Sequence, residues 1–281
     1  MNASNKMKKI TDIKSLQKIE IKILDYVVDL CKQYRLTYFL AGGTLLGAIR
    51  HKGFIPWDND IDIAMPRNDY EKLCEILRKK SGTKYSLIEL REDNMYYCPF
   101  VKVVNDKTIL KETAGGDSIM PLGVYIDIFP IDGIKNNDKK SVKRYLKIRN
   151  WCYRIAKATL YIENLSLWRK IVKKIWYFLI VDVLKREKYF NRLVKLMKKY
   201  PYGSTEYIVS TYGLRAEKEV IEYSAFAQTI NVEFEGKMYN APVGYDKYLT
   251  QMYGDYMKLP PESERVAPHD IVVYLKEDSE E

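Results

Sequence analysis

The sequence predicts an α+β fold, a mixed β-sheet core flanked by helices and carrying a basic helical insertion. Three observations predict it. Over the first 135 residues, segments of helical period alternate with short apolar runs of strand type, and strands predominate after residue 85. Between residues 138 and 200 that texture is lost: the chain becomes Lys-rich, shows no strand-like alternation and contains neither Gly nor Pro. A length of 281 residues, 47% hydrophobic and 30% charged, suffices to bury a full core in water. The chain therefore divides into a core over 1–135, the basic helical insertion over 136–200, and a C-terminal segment over 201–281 that completes the site and ends in an acidic tail.

Taken in order, Leu16, Ile19, Ile23, Val27, Leu30 and Tyr34 fall at helical spacing, with Thr11 or Asp12 available as the cap. Thr37 to Ala41 reads as a short buried strand running into Gly42-Gly43. Thr44 to His51 reads as a helix, and Gly53 to Asp58 as a turn containing Pro56. A second strand spans Ile61 to Met65 and stops at Pro66; Asn68 opens a helix through Lys80, ended by Ser81-Gly82. Tyr85 to Leu90, Tyr96 to Val104, Thr108 to Lys111 and Gly123 to Phe129 are β-rich. Beyond residue 200, Pro201-Tyr202-Gly203, Pro242 and Pro260-Pro261 mark turns, and the tail KEDSEE is too charged to pack.

The net charge of +10 is unevenly placed. From Lys139 to Lys199 nineteen Lys/Arg stand against Glu163, Asp182 and Glu187, a net +16 that leaves −6 for the rest. Such a surface suits anionic lipid, nucleic acid or polyphosphate glycans, or is a set of solvated helix faces. No zinc-finger or RNA-recognition signature is present, so nucleic acid is not expected as a partner. Ile171 to Leu184 mixes Lys with Trp, Tyr and Phe, the composition of an interfacial helix on an anionic membrane or of a core helix with Lys at its ends. Cys31, Cys74, Cys98 and Cys152 are scattered and form no C-x-x-C pair, which fits a reducing compartment and argues against structural zinc. The polar start lacks a signal-peptide core, and no run reaches the roughly 18 apolar residues of a spanning helix, so a cytoplasmic location is expected, with peripheral contact at the inner face of the plasma membrane.

The chemistry gathers where a strand meets Gly42-Gly43-Thr44, then a helix, a turn, and Asp60-Ile61-Asp62. Two glycines allow a tight turn and close approach of a phosphate, and the following helix start is an anion site. Alternate residues of a strand share a face, so Asp60 and Asp62 point together while Ile61 and Ile63 face the core. Like charges side by side are costly unless a cation lies between them, and Mg²⁺ fits, with Mn²⁺ a substitute. An isolated D-x-D is more often a polar turn entering an edge strand, but the spacing from the Gly-Gly-Thr turn favours the metal reading. Asp127, polar between Ile126 and Ile128 in GVYIDIFPID, is the best third carboxylate; Asp132, in an Asp-Gly context that reads as a turn, is the reserve.

The stretch FLAGGTLLGAIRHKGFIPWDNDIDIAMPRNDYEKL, residues 39–73, resembles the signature of the LicD family of bacterial cholinephosphotransferases, related to the fukutin-type ribitol-phosphate transferases and to the nucleotidyltransferase fold. The resemblance resumes more weakly at Lys102 to Thr108, at Asp127 to Pro130 and at YLTQMYGDYMKLPPESERVAPHD, and departs at Asn59, where many members carry an acid. It implies a nucleotidyltransferase-like core that transfers phosphocholine or a similar phospho-alcohol from a CDP-alcohol such as CDP-choline to a sugar hydroxyl of a glycan such as teichoic acid or lipopolysaccharide, carried on a lipid-linked acceptor, with release of CMP.

On that reading Asp60, Asp62 and Asp127 hold the metal, and Asp127 accepts the proton of the attacking hydroxyl. Gly42, Gly43 and Thr44 contact phosphate, and Arg50, Lys102 and Arg265 are phosphate clamps or surface ion-pair partners. Trp57 offers its face to a quaternary ammonium or packs the turn, and His51 and His269 are acid–base or structural. The alternatives are a nucleotidyltransferase releasing pyrophosphate from a nucleoside triphosphate, and a non-catalytic basic protein binding membrane or nucleic acid.

Overall fold

A computed structural model describes residues 7–80, 82–89, 98, 100–112, 122–135, 142–143, 146, 150, 168–169, 171–172, 175, 186–210, 216–267 and 271–276. His269, Cys152, the acidic tail and most of the stretch from 136 to 185 lie outside the described residues. Cys31, Cys74 and Cys98 are buried free thiols.

Asp12 caps the first helix, α1 (Ile13–Tyr34), its Oδ1 accepting from the Ser15 N–H at 2.8 Å, and Arg35 closes it in a left-handed conformation. The apolar stripe of α1 packs onto the central sheet. Next come β2 (Phe39–Leu40), α2 (Gly42–His51), β3 (Asp62–Pro66), α3 (Arg67–Lys79), β4 (Tyr85–Ile88), β5 (Val101–Asn105), β6 (Thr108–Glu112) and β7 (Tyr125–Ile134), preceded at the N-terminus by β1 (Lys8–Ile10). The C-terminal third supplies α4 (Arg186–Met197), β8 (Tyr207–Ser210), β9 (Val220–Glu222), β10 (Thr229–Phe234), β11 (Lys237–Pro242), α5 (Tyr245–Tyr253) and β12 (Ile271–Leu275). The α+β class follows from this order.

The central sheet runs β2-β3-β7-β5-β4, with β8 and β9 continuing from β7; β3 and β7 are parallel and the other pairs antiparallel. A second sheet, β1-β12-β6, joins the two chain ends, and β10-β11 is a separate hairpin. The core includes Leu24, Leu40, Ile63, Leu73, Ile126 and Phe234, all fully buried.

Several boundaries differ from the sequence reading for identifiable reasons. The α2 helix starts at Gly42, two residues early, because Ala41 is already the extended N-cap and Gly42 takes φ +52. Strand β3 starts at Asp62, which leaves Asp60 in the approach to the strand. Strand β7 passes through Pro130 to Ile134 instead of stopping at Phe129. The antiparallel partner on that edge changes there: β5 pairs up to Ile128 and β8 begins at Ile131, so no ladder bond needs the missing N–H. The run from 201 to 270, read mainly as turns, forms four strands among its described residues. Its clearest signal was Glu235-Gly236 between alternating residues, both at positive φ, the geometry of a two-residue hairpin turn.

Asp132, the reserve carboxylate, is corrected to a structural role. It lies in a strand, 1% exposed, and accepts a bidentate pair from Arg67, Nε to Oδ1 at 2.8 Å and Nη2 to Oδ2 at 2.5 Å. The pair ties the start of α3 to β7. Among the described residues no helix is long and apolar enough to cross a membrane. Of the 171–184 segment only Ile171, Val172 and Ile175 are described; they are helical, and Ile171 and Ile175 are exposed together with Trp168. Replacing Arg67 with Met leaves the buried Asp132 carboxylate without its guanidinium, so urea denaturation is expected to show a loss of about 3–5 kcal/mol, much of it recovered when Asp132→Leu is added.

Candidate active site

The site is built where β3 and β7 run side by side. Asp62 and Asp127 are direct Cα partners across the parallel pair, and Lys102 of β5 is the partner of Asp127 on its other side. Cross-strand partners share a sheet face, so Asp62, Asp127 and Lys102 form one row across three strands. Lys102 Nζ donates to Asp127 Oδ1 at 2.6 Å and lies 3.5 Å from the Tyr125 ring centroid. Burial pulls the Lys102 ammonium down, but the charge of Asp127, aided by Tyr125 and Cys98, outweighs it and holds the ammonium above its ordinary value.

The loop from Lys52 to Ile61 delivers the remaining acids. Ile61 and Ile63 are fully buried, as strand alternation requires. Asp58, 9% exposed, joins Asp60 and Asp62 at two-residue intervals, and its carboxyl hydrogen-bonds to that of Asp60. A bond between two carboxyls needs a shared proton, and burial first, then the charge of Asp60, pushes Asp58 up to about 8. Burial likewise raises Asp62 well above the carboxylate range, reinforced by Asp60, Asp127 and Asp58 and opposed by Lys102.

The two glycines serve these acids. A Cβ on Gly42 would stand 2.8 Å from Asp62 Oδ2, and one on Gly43 would stand 2.6 Å from Asp58 Oδ2. The space kept free at the start of α2 is therefore filled by carboxylate oxygens, which gain from the helix N-terminus. The Thr44 hydroxyl, buried, accepts from the Asp62 N–H at 2.8 Å and so fixes the strand. Tyr248 of α5 accepts from the Gly42 N–H through its hydroxyl at 3.3 Å.

The other expected residues divide into two groups. Trp57 and Arg265 come together, the guanidinium 5.9 Å from the ring centroid, with Arg265 Nε donating to the Pro260 carbonyl. Arg50 is held by its neighbours: Nε donates to His51 Nε2 at 2.9 Å and Nη1 to the Tyr256 carbonyl at 2.8 Å. Burial, and next the Arg50 charge, lower His51, which keeps its ring an acceptor. Arg50 thereby ties the loop at Tyr256 to α2, and His269 lies outside the described residues.

Two residues escaped the sequence reading. Asp58 was absorbed into the turn, although the alternation Asp58, Asp60, Asp62 marks it. Glu20 of α1, 2% exposed, stands near the same acids; burial and the charges of Asp60, Asp58 and Asp127 raise it well above its ordinary value. Its signal was a charge at the buried phase of the helix, between Leu16 and Ile23. This carboxylate-rich donor set suits a hard divalent cation. Among the described residues no three of these groups stand together as a set that could hold a metal ion.

A family model described as LicD/FKTN/FKRP, nucleotidyltransferase domain, matches residues 35–151. Over 273 residues, 94% of this chain and 98% of the relative, the sequence is 35% identical to the lipopolysaccharide cholinephosphotransferase LicD of Haemophilus influenzae. The chain belongs to the LicD family. Membership over that length makes it a phosphotransferase with a nucleotidyltransferase-like fold. A shorter likeness, 45% identity over 53 residues, links it to the ribitol 5-phosphate transferase FKRP of Homo sapiens and of Mus musculus, covering 19% of this chain and 10% of each relative.

The raised acids of this LicD-family site set a pH dependence. With the Asp58 value near 8 when folded against an ordinary 3.8, the folded chain holds more protons than the unfolded one between those limits; Asp62 and Glu20 move the same way. The stabilisation that these three acids contribute in EDTA is therefore fully present below about pH 4 and is lost as pH rises toward 8, by up to about 1.4 kcal/mol per pH unit for each such group. Urea midpoints at pH 4.5, 6 and 8 are expected to decrease in that order.

Proposed function

We propose that the chain transfers a phospho-alcohol, phosphocholine first among them, from a CDP-alcohol to a sugar hydroxyl of a cell-surface glycan such as lipopolysaccharide or teichoic acid, releasing CMP. The observation that carries this reading is the row Asp62, Asp127, Lys102 beside Asp58 and Asp60 at the glycine start of α2. Choline phosphate and lipopolysaccharide appear in the name of the Haemophilus influenzae relative, and the FKRP relatives, named for ribitol 5-phosphate transfer, make ribitol the second alcohol to try.

Asp60, Asp62 and Asp127, with Asp58 beside them, would hold Mg²⁺, or Mn²⁺ in its place. When bound, the ion supplies charge neutralisation for the donor's linked phosphates and for the carboxylates. Asp127, steadied by Lys102, accepts the proton of the acceptor hydroxyl as its oxygen bonds to the phosphorus bearing the alcohol and the bridging bond to CMP breaks. Trp57, whose ring already receives the cationic Arg265, is the surface for a quaternary ammonium. Exposed Trp168, Ile171 and Ile175, within the +16 segment, support peripheral contact with an anionic membrane at its inner face, where a lipid-linked acceptor would lie.

Three experiments test this. Incubation with CDP-choline, CDP-ribitol and CTP in turn, with Mg²⁺ and a glycan-precursor extract, should release CMP from a CDP-alcohol; pyrophosphate from CTP would overturn the reading. Asp60→Asn and Asp62→Asn are expected to lower CMP release by at least ~100-fold with circular dichroism unchanged. Flotation is expected with vesicles containing anionic lipid and not with neutral ones, and should weaken in Trp168→Ser.

A further inference from the structure

The tip of the β10–β11 hairpin carries a residue that its own backbone does not favour. Glu235 and Gly236 are the two loop residues between the closing pair Phe234 and Lys237, with φ of 50 and 74. Asn, Asp or Gly suits the first of these positions, and a Glu there bears the steric cost of a left-handed conformation. What the side chain meets lies 181 residues earlier: Oε1 accepts the Phe54 N–H at 3.0 Å, while the Glu235 N–H donates to the Lys52 carbonyl at 2.9 Å. Gly53 stands between these two contacts and does not take a positive φ. A Cβ on it would collide with Glu235 Oε1, and the three atoms it would meet first all belong to Glu235. The bare backbone at Gly53 is thus the seat of that carboxylate.

From there a short path leads to the acids. Phe54 and Ile55 are buried, and the Phe54 ring packs on that of Phe234, the neighbour of Glu235, with centroids 5.0 Å apart. Ile55 opens a turn with Pro56 and Trp57 at its centre, closed by the Asp58 N–H on the Ile55 carbonyl at 2.8 Å. Asp58 then lies against Gly43 at the start of α2, and its carbonyl accepts from Gln17 Nε2 at 2.9 Å. The hairpin itself is fastened to α1, where Asp25 accepts from Lys237 Nζ at 2.6 Å and from the Tyr239 hydroxyl at 2.8 Å. A turn gripped at its head by a fixed element holds its side chains more closely than a free loop does. We propose that Glu235 is a positioning residue for the reaction: by receiving the Phe54 N–H, it fixes the turn that sets Asp58 against the start of α2. This role rests on the reaction proposed above and extends its machinery to a hairpin that contributes no group to the acid row.

Three variants of the full chain test it. Each is followed by CMP release at saturating CDP-choline or CDP-ribitol, whichever the wild type turns over, and by thermal unfolding. Amide exchange at Phe54 and Asp58 is read alongside, by NMR in protein labelled at Phe and Asp. Glu235→Gln keeps the reach and an acceptor oxygen, and its kcat is expected to stay within about threefold of wild type. Glu235→Asn suits the hairpin turn better but is one methylene too short for Phe54. It is expected to melt at the wild-type temperature or above, to lose about tenfold or more in kcat, and to exchange faster at both amides. Gly53→Ala, which puts a Cβ where the carboxylate lies, is expected to reproduce the loss of turnover. Wild-type kcat in Glu235→Asn, or an Asp58 amide that exchanges there at the wild-type rate, overturns the role and leaves the reaction standing. A melting temperature that falls in step with kcat in Glu235→Asn also overturns it, because the residue then serves the fold. Wild-type protein that releases CMP from neither donor removes the reaction reading and this role with it.

Discussion

Carboxylates of like charge, packed against one another at the start of a helix, are the constraint around which this molecule is arranged. Left alone they would repel and draw water, so the fold surrounds them with fixed partners. Thr44 takes the backbone N–H of Asp62, Gln17 takes the carbonyl of Asp58, and Lys102 takes Asp127. The glycines at 42 and 43 contribute by having nothing where the oxygens of Asp62 and Asp58 must lie. An alanine at either place would push a carboxylate out of position, and at Gly42 the left-handed backbone adds strain.

The spine of this arrangement is β7. It carries two aspartates with opposite duties, Asp127 and Asp132, five residues apart and therefore on opposite faces by strand alternation. One sits in the row with Asp62 and Lys102; the other is consumed by a bidentate guanidinium. Pro130 between them marks the exchange of one antiparallel neighbour for another, which lets a single strand serve the site at one end and receive the C-terminal strands at the other.

Local patterns were legible in the sequence wherever one physical rule acted alone. The apolar stripe and Asp12 gave α1 to within a residue, and alternation identified Ile61 and Ile63 as core and placed Asp127 on a strand. What could not be read came from partners distant in the chain. Asp58 looks like a turn residue until Gly43 is seen to make room for it. Arg50 looks like a phosphate clamp until the Tyr256 carbonyl, 206 residues later, is seen to hold it. Glu20 breaks the helical pattern in a way that periodicity registers only as an exception. The strands after residue 200 are short and interrupted by Gly and Pro, so pairing decides them more than their own propensities do, β8 against β7 and β12 against β6.

The hairpin of β10 and β11 carries a temporal consequence. Its tip reaches back so that the Glu235 N–H meets the Lys52 carbonyl, while Glu235 Oε1 receives the Phe54 N–H at the head of the acid loop; Tyr248 closes on Gly42 from the same late stretch. A ribosome must therefore pass Tyr248 before these clasps can all shut. Until then the acids near residue 60 belong to a nascent polypeptide without a finished pocket, and assembly of the reaction centre waits for a stretch made nearly two hundred residues later.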